Sequence, residues 1–305
     1  MFSDTKASTL RCACVGEVLW DILPNGRRLG GAPANVAAYL TQFGIETEVL
    51  SAVGNDDNGQ EILERLTSSG IGIGGISTVA DLPTGTASVV LDANGVPSFS
   101  IPMPSAWDAL TLGNPTLWQN ANAIVFGSLA QRSLSSRQAI GSLLAQAPRS
   151  CLRVLDVNLR PPFCDEGLIR SSLEMADVVK LNDLELPLLA QMVGLEGNET
   201  CMLKELRRRY SLQLVVYTKG SAGSRMIAED REETHLGFPA KVVDTVGAGD
   251  AFTATVVAGW LRGMDMDDVQ NCANHVASFV CSQPGAVAQL PGDLVTKLWN
   301  GKVLN

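Results

Sequence analysis

Asp244-Thr-Val-Gly-Ala-Gly-Asp250 runs directly into Ala-Phe-Thr-Ala-Thr-Val-Val-Ala-Gly-Trp260, and the rest of the chain is best read outward from this stretch. A short strand-like run, Lys241–Val243, enters a glycine-rich turn that leaves as a strongly apolar helix. Gly247, Ala248 and Gly249 have little or no side chain, so their backbone N–H groups can converge on an anion at the positive end of the helix dipole. Asp250 then falls in the first helical turn, beside that anion hole. A carboxylate there would repel a phosphate rather than bind it, and it suits a base that takes the proton from an incoming hydroxyl. The same residue also fits an ordinary acidic helix cap, and the block by itself leaves both readings open.

A second glycine-rich opening precedes it. Gly30-Gly-Ala-Pro-Ala-Asn35 leads into the helical pattern Val36–Phe43. The glycine pair lets a ligand approach the backbone closely. Asn35 sits in the first turn, where its amide can both donate to and accept from a polyol; a plain helix start is the other reading. Around these two openings, apolar runs alternate with helical patterns. Cys12–Gly16, Val49–Val53, Ala123–Phe126, Val154–Val157, Val178–Leu181 and Leu214–Tyr217 read as buried strands. Ala34–Phe43, Gly59–Ser68, Ser135–Ala145, Leu184–Met192 and Met202–Tyr210 read as helices. That rhythm predicts an α/β fold with a mainly parallel sheet. Two stretches break it, Glu17–Leu29 with turn signals at Pro24 and Asn25-Gly26, and a hairpin over Thr84–Met103 around Asp92-Ala-Asn-Gly95. Together they predict a small second sheet, either placed over the strand ends to cover a ligand or a pair of surface hairpins.

Composition narrows the function classes. The 305 residues carry Lys+Arg 23 against Asp+Glu 32, a net charge of −9. That balance argues against nucleic acid and anionic membrane surfaces as partners. It also requires any phosphate site to be built locally, from backbone dipoles. Seven cysteines without a Cys-x-x-Cys read as buried reduced thiols of a cytoplasmic protein. Two histidines in separate segments, His235 and His275, exclude a histidine-rich zinc site. The opening MFSDTKASTLRCACVGE has no apolar signal core, and no apolar run is long enough to span a membrane. Gly70-Ile-Gly72-Ile-Gly-Gly75 matches a dinucleotide pattern, but it follows a helix and enters β-branched residues, the reverse of the required context. No P-loop and no nucleophile elbow is present, and the sequon at Asn198-Glu-Thr200 carries no weight in a cytoplasmic chain.

The Gly30–Asn35 opening and the Asp244–Asp250 block resemble the two signature motifs of the ribokinase-like (PfkB) carbohydrate kinase family, and the likeness spans nearly the whole chain. Val53-Gly-Asn-Asp-Asp-Asn-Gly59 is similar to the family's second-strand turn, and Asn182-Asp-Leu-Glu185 to its Asn-x-x-Glu motif. Thr218-Lys-Gly-Ser-Ala-Gly223 resembles its nucleotide-binding turn, and Gln283-Pro-Gly-Ala286 its loop near the adenine and cation sites. The resemblance implies a single three-layer α/β/α sandwich over residues 1–305, with a small β-sheet lid from segments near 17–29 and 84–103. It implies transfer of the ATP γ-phosphate to a sugar hydroxyl, with Asp250 as base and Gly247, Ala248 and Gly249 as anion hole. Asp21, Gly31 and Asn35 would hold sugar hydroxyls. Asn182 and Glu185 would order hydrated Mg²⁺. Thr218, Lys219, Gly220, Gly223 and Asn274 would line the nucleotide site. Asp244 and Gly285 resemble the monovalent-cation (K⁺) site of potassium-activated members. A homodimer through the lid is a further expectation.

Several segments look like those of fructokinases: Gly16-Glu17 with Trp20-Asp21, Gly-Gly-Ala-Pro-x-Asn35, Phe126-Gly-Ser-Leu-Ala-Gln-Arg132 and Asp156-Val-Asn158-Leu-Arg160-Pro-Pro. They point to fructose, phosphorylated to fructose 6-phosphate. Ala34 stands where many fructokinases carry a bulky aromatic, which would widen the sugar pocket. Arg160 has a counterpart in 2-keto-3-deoxygluconate kinases, where a guanidinium can meet a carboxylate. That sugar acid, another sugar or a nucleoside is the alternative substrate. A non-catalytic sugar-binding relative is the alternative class, and the intact Asp250 block argues against it.

Overall fold

Alternation along Arg11–Val15 (β1) divides the interior in two. Cys12 and Cys14 enter one apolar cluster, and Ala13 and Val15 enter another, because successive side chains leave a strand on opposite faces. The structure, a computed structural model, describes residues 9–24, 26–91 and 97–299. Asn25 and the Asp92–Gly95 turn of the expected hairpin lie outside the described residues.

The remaining strands are β2 (Leu19–Leu23), β3 (Gly26–Gly30), β4 (Glu46–Gly54), β5 (Gly72–Val79), β6 (Gly85–Leu91), β7 (Pro97–Ser100), β8 (Ala123–Gly127), β9 (Leu152–Asp156), β10 (Val178–Asn182), β11 (Leu214–Thr218), β12 (Ser224–Ile227) and β13 (Glu232–His235). Eight of them join β1 in a nine-stranded sheet of order β13-β12-β11-β10-β9-β8-β1-β4-β5. All its pairings are parallel except β11–β12 and β12–β13. Gly72, Gly74 and Gly75 of the dinucleotide-like run lie in the edge strand β5, with Gly70 in the turn before it, so the run is not a nucleotide turn. Helices cover both faces, which makes the body a three-layer α/β/α sandwich. On one face lie α1 (Ala32–Gln42), α2 (Asp57–Ser68), and, from the end of the chain, the helices Ala248–Leu261 and Met266–Cys281. The other face carries α3 (Thr116–Gln119), α4 (Leu134–Gln146), α5 (Glu166–Met175), α6 (Glu185–Val193) and α7 (Glu199–Arg209). The two late helices are α8 and α9, and α10 (Gly292–Trp299) follows them. Every residue from Ala251 to Gly259 of α8 is buried, as expected of a helix that is apolar on all sides.

The two excursions build a second sheet, β3-β2-β6-β7. It is mixed: β2–β3 and β6–β7 are antiparallel hairpins, joined by the parallel pair β2–β6. It is anchored at both roots. Asp56, which caps α2, accepts the Thr84 N–H and hydroxyl at 2.9 and 2.6 Å. Arg132 pairs with Asp108 and donates to the Ile101 and Pro102 carbonyls where the chain returns from the sheet. On the face away from the cavity, buried Trp20 donates to the Asn58 carbonyl at 3.0 Å.

Two sequence expectations need correction. Lys241–Val243 is not a strand. The nine-stranded sheet ends at β13, and this run is exposed, held by the Cys281 carbonyl at the end of α9, which accepts from Val243 N at 2.8 Å and Asp244 N at 3.2 Å. The cysteines are all free, and Cys12, Cys14, Cys151 and Cys272 are buried, but Cys201 is exposed on α7. The sequon asparagine, Asn198, caps α7 through the Cys201 N–H at 2.9 Å. Among the described residues no helix is long and apolar enough to cross a membrane.

Candidate active site

The parallel strands end on one side, and the order reverses about β1, with β4 to one side and β8 to the other. A crevice at such a switch point is the natural ligand site of an open α/β sheet. Here a cavity of about 480 Å³ lies between these strand ends and the four-stranded sheet. Its lining mixes residues after β1 (Glu17), from the small sheet (Asp21, Arg28, Ala87), from the α1 opening (Gly31, Ala32, Asn35), from the β9 and β10 ends (Asn158, Arg160, Asn182) and from the Asp244–Asp250 block.

Gly247 caps α8 with φ +80°, and a Cβ there would fall on the Ala286 carbonyl oxygen. Only glycine tolerates both. Gly31 caps α1 with φ +104°, and a Cβ would meet the Glu17 carbonyl. The two helix starts thus converge, and Asn35 Nδ2 donates to Asp250 Oδ2 at 2.8 Å. Burial and the nearby Asp156 carboxylate push Asp250 up to about 6, although Asn35, Lys180 and Arg160 pull it down. Asp250 therefore remains mostly ionised at neutral pH, with a basicity close to what proton abstraction needs.

Beneath the Gly247–Gly249 turn lies a buried network. Lys180 Nζ pairs with Asp156 Oδ1 and Oδ2 at 3.1 and 3.2 Å, and Thr253 Oγ1 donates to Asp156 Oδ2 at 2.8 Å. Burial opposes the Lys180 charge, but the carboxylates of Asp156, Glu185 and Asp250 outweigh it and keep the ammonium protonated. A Cβ on Gly249 would stand 3.0 Å from Lys180 Nζ. On the opposite wall, burial pushes Glu17 up to about 7 despite Arg160, and burial also raises Asp21. Arg160 is exposed, donates through Nη1 to the Leu159 carbonyl at 3.0 Å, and acts electrostatically on Glu17, Asp21 and Asp250.

Asn182 lines the cavity, whereas Glu185 is 4% exposed. Glu185 Oε2 accepts from Asn182 N at 2.8 Å and Oε1 from Leu159 N at 3.0 Å; Asn182 Oδ1 accepts the Leu184 and Glu185 N–H groups at 2.9 Å. The pair shapes the ends of β9 and β10. Its remaining lone pairs suit a hydrated Mg²⁺ held through water rather than a directly ligated ion. Thr218 is register partner to Asn182 across β10–β11. The 3₁₀ turn Gly220–Ala222 follows, and a Cβ on Gly223 (φ +85°) would fall on the His235 carbonyl. Lys219 lies 3.6 Å from Glu199. These four residues do not line the cavity but lie beyond its edge at the end of β11.

Two expected residues sit elsewhere. Asn274 is buried, and its amide donates to Ser224 Oγ at 2.7 Å and Gln270 O at 2.8 Å. It joins α9 to β12, behind the Gly223 turn. Ala34 points into the core and does not line the cavity, where Ala32 stands; a small residue at 34 does not widen the pocket. Sequence reasoning passed over Glu17, Lys180, Asp156, Thr253 and Arg28 as site residues. Lys180 carried a signal, a lone charge inside the apolar strand Val-Val-Lys-Leu-Asn182.

The profile of pfkB family carbohydrate kinases matches residues 24–292. A Pyrococcus horikoshii chain named as a sugar kinase is 30% identical over 297 residues, covering 90% of this chain and 91% of its own. A fructokinase of Escherichia coli is 28% identical over 295 residues, covering 91% and 95%. The crystal structure of the P. horikoshii sugar kinase in complex with ATP superposes with a TM-score of 0.81 at 27% identity, over 95% of this chain and 100% of the other.

Proposed function

This chain belongs to the pfkB family of carbohydrate kinases, and from that premise we propose that it transfers the γ-phosphate of ATP to fructose, giving fructose 6-phosphate, in the cavity beneath the four-stranded sheet. The single observation that carries the reading is the Asp250 carboxylate, fixed by Asn35 at 2.8 Å and set in the first turn of α8. In this mechanism Asp250 takes the proton of the sugar hydroxyl as its oxygen attacks the γ-phosphorus. The N–H groups of Gly247, Ala248 and Gly249 meet the charge on the transferring phosphoryl oxygens, and ADP departs toward the Thr218–Gly223 turn. Hydrated Mg²⁺, ordered by Asn182 and Glu185, supplies phosphate neutralisation when bound. Lys180 holds Asp156 and leaves the anion hole less negative from below.

The wall chemistry supports a neutral sugar. Glu17, Asp21 and Asp250 share the cavity wall with Arg160, Arg28 and Lys180, and Arg160 acts electrostatically on all three carboxyls. Carboxyl groups bond sugar hydroxyls, whereas a sugar acid would bring a further negative charge beside the Asp250 carboxylate. Relatives named fructokinase agree with this choice. The reading includes a homodimer through the small sheet, whose edge strands β3 and β7 offer backbone groups to a second copy.

The test is ATP turnover with fructose, glucose, ribose, 2-keto-3-deoxygluconate and a nucleoside, with ³¹P NMR of the product. Fructose should give the highest kcat/KM, with phosphate on O6. A preference for the keto-deoxy acid would reassign the substrate through Arg160. No turnover with any of them would favour the non-catalytic sugar-binding class.

A further inference from the structure

The monovalent cation expected at Asp244 and Gly285 does not fit the chain as folded. Asp244 Oδ1 accepts the Val246 N–H at 3.1 Å, while Oδ2 accepts the Gly285 N–H at 3.0 Å and Arg28 Nη1 at 3.1 Å. A Cβ on Gly285 would stand 3.3 Å from Arg28 Nη1. The guanidinium thus lies against both the carboxylate and the loop. An added cation there would face a fixed positive charge and a carboxylate already served by three donors.

Strand alternation sets this arrangement. Arg27 and Arg28 are neighbours on β3 and leave it on opposite faces. Arg27 lies over the Trp20 ring, 4.4 Å from its centroid, and bonds Asn58 and Glu61 at the head of α2. Arg28 stands opposite Asp21 of β2 and turns inward to the cavity. The small sheet is therefore fastened to the body outside by one arginine and inside by the next. The inner fastening reaches the catalytic turn: Asp244 lies three residues before Gly247, whose missing Cβ lets it pack on Ala286. Burial raises the Asp244 carboxyl, but the Val246 and Gly285 N–H groups and Arg28 outweigh it and hold it below its ordinary value. Its charge would repel an incoming phosphate were it not countered. The Arg28 side chain is 40% exposed and that of Asp244 24%, so water can reach the bridge.

We propose that Arg28 is the resident cation of the Asp244 loop: it neutralises Asp244 beside the anion hole when the small sheet lies over the cavity, so phosphoryl transfer needs no added potassium ion. The inference rests on the sugar-kinase reading of the same cavity.

The experiment compares sugar phosphorylation in potassium and in tetramethylammonium salts at equal ionic strength. The wild-type rates should agree within about twofold. Arg28→Ala, checked for folding by circular dichroism, should lose about tenfold or more of kcat/KM in tetramethylammonium, with potassium restoring most of it. Arg28→Lys keeps a cation and should stay indifferent to potassium. Equilibrium dialysis against radioactive rubidium needs no catalysis: the wild type should take up none, and Arg28→Ala should take it up stoichiometrically. Strong potassium activation of the wild type, rubidium on the wild type, or an Arg28→Ala protein blind to both ions would each overturn the proposal. The expected rubidium pattern without sugar phosphorylation would reject the kinase reading and leave Arg28 as the cation of Asp244.

Discussion

Asn35 Nδ2 and Asp250 Oδ2 meet at 2.8 Å, joining the first turns of two helices across 215 positions of sequence. The contact is backed by a second seam from the same helix. Tyr39 bridges the Ala286 carbonyl and the Ala288 N–H at 3.0 Å each, and Gln42 bonds Ala288 and Leu290 at 3.1 and 2.9 Å. The glycine-rich opening of α1, the first turn of α8 and the 286–290 loop are thus tied together by hydrogen bonds, which orients the Asp250 carboxylate.

Replacing Asp250 with Asn keeps the shape and an acceptor for Asn35 but removes the base. We expect kcat to fall by roughly 10²–10⁴ with ATP affinity nearly unchanged. Steady-state kinetics with isothermal titration of ATP checks both; a variant with wild-type kcat rules the role out.

Asp250 raised to about 6 makes activity pH-dependent on the acid side. Because the ionised form is the base, kcat/KM should fall about tenfold per pH unit below that value and level off above it. A flat profile from about pH 5 to 8 contradicts the assignment.

The same shifts have the opposite sign for stability. Asp250 and Glu17 bind protons more tightly folded than unfolded, at about 6 and about 7. Stability should therefore fall as pH rises from about 4 through those values. Asp250→Asn and Glu17→Gln remove this cost and should each be more stable than wild type by about 1–3 kcal/mol near pH 8, and not near pH 4. Urea unfolding at the two pH values measures it, and an Asn or Gln variant less stable at both contradicts it.

Lys180 is 7% exposed among Asp156, Glu185 and Asp250. Lys180→Met leaves Asp156 buried without its cation, and we expect a loss of about 3–5 kcal/mol. Asp156→Asn in the same chain should recover part of it, since the uncompensated charge is then gone. Additive losses in this double-mutant cycle would show that the pair is not coupled.

For a neutral sugar, Arg160→Ala should raise KM by less than about tenfold, whereas a lost charge-assisted bond to a substrate carboxylate corresponds to about 1.5–3 kcal/mol, tenfold or more. KM for fructose and for 2-keto-3-deoxygluconate, measured on both proteins, separates the two.

The sequence by itself determined the features that depend on near neighbours. Alternating apolar runs and helical patterns specified the parallel sheet and its two helical faces, because burial on a strand has a period of two and on a helix 3.6. Gly31 and Gly247 marked helix starts that only glycine can make, since a side chain would strike backbone at each. Asp250 and Asn35 were legible from those starts. The tertiary structure alone decided which distant groups share one low-dielectric space. Glu17 follows a strand like many other acids, and only the return of α1 and the small sheet buries it. Lys180 stands out as a lone charge in an apolar strand, but its partner Asp156 is set only when β9 and β10 lie side by side beneath α8, with Thr253 above them. Asn274 reads as a residue of the nucleotide site, and only the packing of α9 on β12 gives its amide to Ser224, next to Gly223. Arg28 and Asp244 are separated by 216 positions, and their bridge depends on the angle at which the small sheet leaves the body. Local pattern fixes backbone and face, but it carries no information on these long-range distances, and charge and proton affinity follow from distance and burial.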